Sequence, residues 1–344
     1  MKKPLYIMRH GRLRRKENTI VFEFSDEKEE NIQRKIIPIE SIDSIFVFGE
    51  IDINSKALNF LAKNDISLHV FDYYGHYSGT FFPREGSISG YIIVRQVEFY
   101  LDPNLRIEIA KEIINSAGHN ILKNLKYYQS RSDDLEFQDE IEFIISDIKS
   151  SLDKVRNCEK IEEILGIEGR INKIYLDAWN FIIKSDEEVF KFEKRERRPP
   201  TNPINALISF GNSLLYSVVL DEIYKTQLNP AVSFLHEPAT KRFSLSLDLS
   251  EIFKPLLVDR LIFSLINHRQ IKAEHFNEDL NYTYLNDKGR KIFIGEFDKK
   301  LETTIKHPKL KRSVSYRTLI KLECYKLIKH IMGEEKYEGF KIWW

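Results

Sequence analysis

The chain has 344 residues, 42% of them apolar, which is enough for two domains with buried cores and excludes an intrinsically disordered protein. Its 53 Lys and Arg stand against 52 Asp and Glu, a net charge of +1, so global charge gives a nucleic-acid partner no support and any basic surface must be local. The opening MKKPLYIMRHGRLRRK lacks the apolar run of a signal peptide and no later stretch has the uninterrupted apolar length of a membrane span, so a cytoplasmic protein with no membrane partner is expected.

From residue 4 to about 94 the short runs PLYIM, TIVFEF, SIFVF, ISLHVF, GTFF and YIIV read as strands, separated by turn signals at His10-Gly11, Asn64-Asp65 and Tyr74-Gly75. Between them Ser55–Lys63 reads as one short helix. Residues 1–95 are thus expected to form a small, mainly β domain. Beyond about residue 100 the texture turns helical: Pro103 opens a long stretch, and Ile141, Ile144, Ile145 and Ile148 share one helical face. The acidic run Asp133 to Glu142 reads as a solvated helix face. Asn202 caps, and Pro203 starts, a segment apolar nearly all round, the expected central buried helix. Ser315 caps a last helix striped by Ile320, Cys324, Leu327, Ile328 and Ile331, and Gly333 stops it. Residues 96–344 are expected to be a larger all-α domain, giving an α+β, two-domain chain. Cys158 and Cys324 have neither zinc-site spacing nor a disulfide framework and read as small buried hydrophobes.

Several familiar solutions are missing. No G-x-x-x-x-G-K, G-x-G-x-x-G or G-x-S-x-G occurs, so nucleotide hydrolysis, dinucleotide binding and a nucleophile-elbow hydrolase lack support. LHEPAT begins like a zinc-protease helix, but Thr240 stands where the second His is needed and Pro238 breaks the helix. What remains is Glu168 in LGIEGRINKIY, His236 in FLHEP, and Asp248 with Glu251 in FSLSLDLSEIFKP. Carboxylates plus one imidazole from separate helices suit Mg²⁺ or Mn²⁺, and such an ion favours phosphoryl transfer. Each residue also has a plainer reading. Glu168, after a stop signal at Gly166, could complement a helix dipole; His236 could be a hydrogen-bonded structural residue; Asp248 and Glu251 could be a first-turn and a solvated carboxylate.

FSLSLDLSEIFKP itself reads two ways. Its alternation suits a strand, which would send Asp248 and Glu251 to opposite faces; a helix would set them side by side at i and i+3. The helical surroundings favour a helix from about Leu245 or Leu247 to Phe253, with Pro255 bending or restarting it.

The stretches LGIEGRINKIY, RRPPTNPINALISFGNSLL, FLHEP with SLSLDLSEIFKPLLVDR, and YRTLIKLECYKLIKHIMGEEKY resemble the CRISPR-associated spacer-acquisition integrases, the Cas-one family. The resemblance implies a β-then-α layout over nearly the whole chain and a metal-dependent DNA endonuclease that acts as an integrase. In that activity a 3′-hydroxyl of a short captured DNA fragment attacks a phosphodiester at the edge of a CRISPR repeat. It further implies Glu168, His236 and Glu251 as catalytic metal ligands for Mg²⁺ or Mn²⁺, with Asp248, Lys254 and Tyr175 in support. Ser250 and Lys254 depart from the Met and Arg common in the family, and Lys gives up bidentate phosphate contact. The implied partners are double-stranded DNA, a second copy of the chain joined through the β-domain, and a small companion CRISPR adaptation protein. For DNA, the cluster Lys191, Lys194, Arg195, Arg197 and Arg198 is the favoured patch, with Lys254 at the substrate phosphate. From Leu301 onward ten Lys or Arg face five Glu, which reads equally as solvated helix. A branched-DNA repair nuclease with the same site, and a non-catalytic DNA-binding scaffold, are the alternatives.

Overall fold

The computed structural model describes residues 2–26, 29–83, 89–196, 199–240, 243–279 and 282–343. Two compact units divide the chain, residues 1–86 and 87–344.

The first unit holds two four-stranded sheets and one helix. Strands β1 (Lys3–Ile7), β5 (Ile42–Val47), β7 (Ser67–Phe71) and β8 (Tyr77–Phe81) form the sheet β1-β5-β7-β8, parallel except for the β7–β8 pair. Strands β2 (Gly11–Lys16), β3 (Thr19–Asp26), β4 (Glu29–Pro38) and β6 (Ile51–Ile53) form the second, in the order β4-β3-β2-β6. Helix α1 (Ser55–Lys63) is capped by Asn54, whose Oδ1 accepts from Ala57 N at 3.0 Å. Leu13, Ile20, Ile42, Ile45, Leu61 and Ile66 are the most deeply buried members of the unit's core. β2 and β4 carry so many charges that their sequences hide them; Leu13 is fully buried between Arg12 and Arg14, one inward residue on a strand whose other face is wet.

YIIV is not a strand. It lies in α2 (Gly90–Leu101), and the buried residues Ile92, Gln96 and Phe99 fall at helical spacing, which outweighs the local β-branched run. The second unit accordingly begins at residue 87, not 96. Its further helices are α3 (Pro103–Gln129), α4 (Leu135–Val155), α5 (Ile161–Asp177), the single turn α6 (Trp179–Ile182), α7 (Pro203–Tyr224), α8 (Ser244–Lys254), α9 (Arg260–Asn267), α10 (Asp287–Glu302) and α11 (Tyr316–Ile331). It is not purely helical. Two antiparallel ribbons, β9 (Phe276–Asp279) with β10 (Tyr282–Leu285) and β11 (Thr304–Lys306) with β12 (Ser313–Ser315), join helices near its end.

α7 is the core helix. Asn202 Oδ1 accepts from Asn205 N at 2.9 Å and Pro203 occupies the first turn. By length and composition it is the one described helix apolar enough to cross a membrane, yet 78% of that window is buried inside the protein, as a core helix requires. Gly211 lets it approach the segment after α8, since a Cβ there would stand 2.6 Å from Val258 and 2.9 Å from Phe293.

FSLSLDLSEIFKP is helical, as α8. Its alternation misleads because the serines are buried along with the leucines: Ser244, Ser246 and Ser250 are all inside. The hydroxyls of Ser246 and Ser250 bond back to the carbonyls of Phe243 and Ser246, which makes these polar residues fit a buried helix. Pro255 neither breaks the helix nor ends it. It opens one π-helical turn, Pro255–Asp259, that leads straight into α9.

Candidate active site

The site is built around the loop before α8. Asp248, fully buried on α8, accepts from the backbone N–H of Phe234 (2.7 Å) and Leu235 (2.9 Å) on one oxygen, and from His236 N (2.9 Å) on the other. The second oxygen also receives His236 Nδ1 at 2.8 Å. Four donors converge on two oxygens, so neither oxygen carries a proton and Nδ1 does. In the neutral imidazole Nε2 then keeps the lone pair that a metal would use, the arrangement in which a carboxylate orients a metal-binding His. Burial alone pulls the His236 pKa down, but the hydrogen bond and charge of Asp248, with the charge of Glu251, outweigh it and leave the pKa raised. Asp248 is therefore the residue that holds His236.

Glu251 lies one turn along the same face and is 7% exposed. Lys254 Nζ pairs with its Oε1. Glu168 comes from α5, and its environment corrects one sequence expectation. Gly166 does not stop a helix: α5 runs through it from Ile161, where Glu162 and Glu163 serve the first turn, so Glu168 is mid-helix and has no dipole to complement. One interior Gly costs only about 1 kcal/mol relative to Ala, too little to end a helix with a buried stripe. That stripe is Ile164, Ile171 and Tyr175, and Glu168 sits on it, half-buried, with Asn172 Nδ2 donating to its Oε1 at 2.5 Å.

Tyr175 is buried. Its oxygen accepts from Asn124 Nδ2 at 3.1 Å. Burial pushes the Asp259 carboxyl up to about 7, against the opposing hydrogen bond of Tyr175 and charge of Lys254, with Glu251 adding to the rise. The Tyr175 hydroxyl is raised well above its ordinary value by burial and by the charge of Asp259. Neither Asn124 nor Asp259 stood out in the sequence. The one available signal was an acid closing the otherwise apolar run PLLVD.

His236, Asp248, Glu251 and Lys254 thus come together on one loop and one helix, while Glu168 lies on the inward stripe of α5; its carboxylate and the ligand atoms of His236 and Glu251 do not all lie within 4.8 Å of one another. The donor set suits a hard divalent cation: carboxylate oxygens from Glu168 and Glu251 and a lone-pair nitrogen from His236. Arg195 is differently placed from the expectation. Its guanidinium donates to Asn205 Oδ1 (2.9 Å), to Ser209 Oγ (3.1 Å) and to the Glu196 carbonyl, so it fastens the segment before α7 to that helix. Lys194 pairs with Glu196 at 2.9 Å, while Arg197 and Arg198 lie outside the described residues.

The family model described as CRISPR associated protein Cas1 matches residues 5–299. The chain is 53% identical to CRISPR-associated endonuclease Cas1 3 of Thermodesulfovibrio yellowstonii, over 98% of its own length and 99% of that protein's. It is 44% identical to the CRISPR-associated endonuclease Cas1 of Methanocaldococcus jannaschii, over 99% of each. Among solved structures, a Cas1 protein from Thermotoga maritima superposes with a TM-score of 0.84 at 38% identity, covering 99% of this chain and 100% of that one. A casposase bound to its integration product shares the fold, with a TM-score of 0.84 at 23% identity over 97% and 92% of the two chains. The chain belongs to the CRISPR-associated Cas1 family.

Proposed function

We propose that the chain is a metal-dependent DNA endonuclease and integrase of CRISPR adaptation, which inserts short foreign DNA fragments into a CRISPR array by 3′-hydroxyl attack on a phosphodiester. The observation that carries this reading is His236, whose Nδ1 is held at 2.8 Å by the buried Asp248 carboxylate, beside the buried carboxylate of Glu251. In this reading Glu168, His236 and Glu251 hold Mg²⁺ or Mn²⁺, which when bound supplies Lewis acidity toward the scissile phosphate and the leaving oxygen. The protein's own contribution is positional and electrostatic. Asp248 fixes the His236 tautomer, Lys254 offers a point charge for a phosphate oxygen while pairing with Glu251, and Tyr175 supports the helix that carries Glu168. Exchange of one phosphodiester for another needs no ATP, in keeping with a sequence that has no phosphate-binding loop.

The partners proposed are double-stranded DNA, contacted by Arg197, Arg198 and Lys254, a second copy of the chain joined through the β-unit, and a small companion CRISPR adaptation protein. The compartment is the cytoplasm. Arg195 has its guanidinium engaged on α7 and serves DNA binding only through the segment that it fastens. The names of the relatives, endonucleases in two cases, and a casposase of the same fold support the reaction class. Glu168→Ala, His236→Ala and Glu251→Ala should each abolish Mg²⁺- or Mn²⁺-dependent strand transfer with the helical circular dichroism unchanged. Strand transfer by the triple variant would refute the assignment.

A further inference from the structure

One group of buried polar residues near the site has no part in the chemistry described above. Asn120 and Asn124, one turn apart on α3, are both fully buried, and both point at the end of α8. Asn120 Nδ2 donates to the Ile252 carbonyl at 2.9 Å and to the Phe340 carbonyl at 3.1 Å, and its Oδ1 accepts from Ile342 N at 2.9 Å. Asn124 Nδ2 donates to the Pro255 carbonyl at 2.6 Å and to the Tyr175 oxygen at 3.1 Å, and its Oδ1 accepts from Arg260 Nε.

The direction of every bond in the second set follows from Arg260, which can only donate. Arg260 forces the Asn124 oxygen toward itself and the Asn124 amide hydrogens toward Pro255 and Tyr175. The Tyr175 oxygen is then an acceptor from Asn124. One chain of bonds thus runs from Arg260 through Asn124 to Tyr175. Through Asn124 it ties α5, which bears Glu168, to the Pro255 carbonyl that opens the π-turn directly after Lys254, four residues beyond Glu251.

We infer that Asn124, bonded to Tyr175 of α5 and to the Pro255 carbonyl at the end of α8, forms a positioning brace that holds the two carboxylate-bearing helices in the relative placement a divalent cation needs. A satisfied buried network of this kind is rigid, because each member loses a partner if either helix shifts. The π-turn makes such a brace necessary. Its widened ring interrupts the regular ladder next to the ligand helix, and the Asn124 amide gives the Pro255 carbonyl a second donor besides Arg260 N.

The inference rests on the metal reading above, and the experiment separates the two. Mn²⁺ binding is measured by titration calorimetry on the DNA-free protein for the unsubstituted chain, Glu251→Gln, Tyr175→Phe and Asn124→Ala. Strand-transfer kcat and KM for duplex DNA are measured alongside. Tyr175→Phe deletes one oxygen and leaves Asn124 its bonds to Pro255 and Arg260, so it is the variant that keeps the fold. The expected result is a Kd for Mn²⁺ weakened roughly tenfold, the size seen when a ligand's supporting partner is removed, with a fall in kcat and an unchanged KM for DNA. Mn²⁺ binding by the folded Tyr175→Phe protein within twofold of the unsubstituted chain overturns the brace alone, provided Glu251→Gln abolishes binding. Binding that Glu251→Gln leaves untouched, or no binding by the unsubstituted chain, overturns the metal reading and the brace with it.

Discussion

Asp248→Asn is the sharpest single perturbation of the site, because it changes one atom and has no orientation that satisfies the four donors. If the new amide NH₂ takes the position facing Phe234 and Leu235, two buried N–H groups meet another donor and two hydrogen bonds to a charged acceptor are lost. If it takes the other position, His236 N loses its acceptor, and His236 Nδ1 must give up its proton and accept instead. Hydrogen bonds to charged groups contribute about 1.5–3 kcal/mol each, so the first orientation costs roughly 3–6 kcal/mol and the second somewhat less. The second is therefore favoured. It moves the imidazole proton onto Nε2, the atom required for a cation. The expected outcome is a helical unit destabilised by about 2–4 kcal/mol, together with a 10- to 100-fold loss of Mn²⁺ affinity. Urea unfolding followed by circular dichroism at unchanged slope, and calorimetry on the folded variant, measure the two quantities. A loss below about 1 kcal/mol with Mn²⁺ affinity within twofold of the parent would refute the assignment of Asp248 as the acceptor that orients His236.

Asp259 sets a dependence of stability on pH. Its folded pKa of about 7 lies above the ordinary 3.8, so its contribution is most favourable below the ordinary value and is lost as pH rises through 7. Asp259→Asn should gain stability relative to the parent between pH 5 and 8, by an amount on the order of 3–4 kcal/mol at the upper end; parallel unfolding curves at the two pH values would exclude this. Gly211→Ala should lower the melting temperature. Strain of about 1–3 kcal/mol from a Cβ 2.6 Å from Val258 exceeds the roughly 1 kcal/mol that Ala adds to helix propensity, and an unchanged melting temperature would show that Val258 moves aside. Arg197→Glu and Arg198→Glu should each flatten the dependence of log K for duplex binding on log salt by about one unit, whereas Arg195→Glu should unfold more easily because Asn205 and Ser209 lose their donor. Equal salt slopes for parent and variants count against the basic cluster.

Much of this arrangement could be read from the chain before folding. Caps such as Asn202 with Pro203 and Ser315 declare helix starts because their chemistry is local. α8 was legible only through its surroundings, since serines that bond back to their own helix imitate the polar half of a strand pattern. YIIV misled for the opposite reason: four apolar residues say little until the positions three and four residues further on are included. The metal-ligand candidates were visible as polar residues in apolar surroundings, helped by the family resemblance. Asn124 was not, because a brace is defined by which helices meet, and that depends on packing between segments more than a hundred residues apart. Arg195 shows the same limit. A basic residue in a basic run looks free until the two side chains it reaches, ten and fourteen residues along, are seen turned toward it.

The π-turn at Pro255–Asp259 also fixes a phase. An α-helix advances about 100° per residue, and a π-turn accommodates about one residue more than an α-turn over the same rise. Removing one residue from this segment would allow an unbroken helix with a more regular ladder. Winding all five residues as α-helix without that deletion would instead rotate everything beyond by about a quarter turn relative to α8, carrying Arg260 away from Asn124. The segment acts as a key cut to one winding. Insertions that surface loops accept should be rejected here, and so should changes that wind it as plain α-helix, even where they make the helix itself more stable.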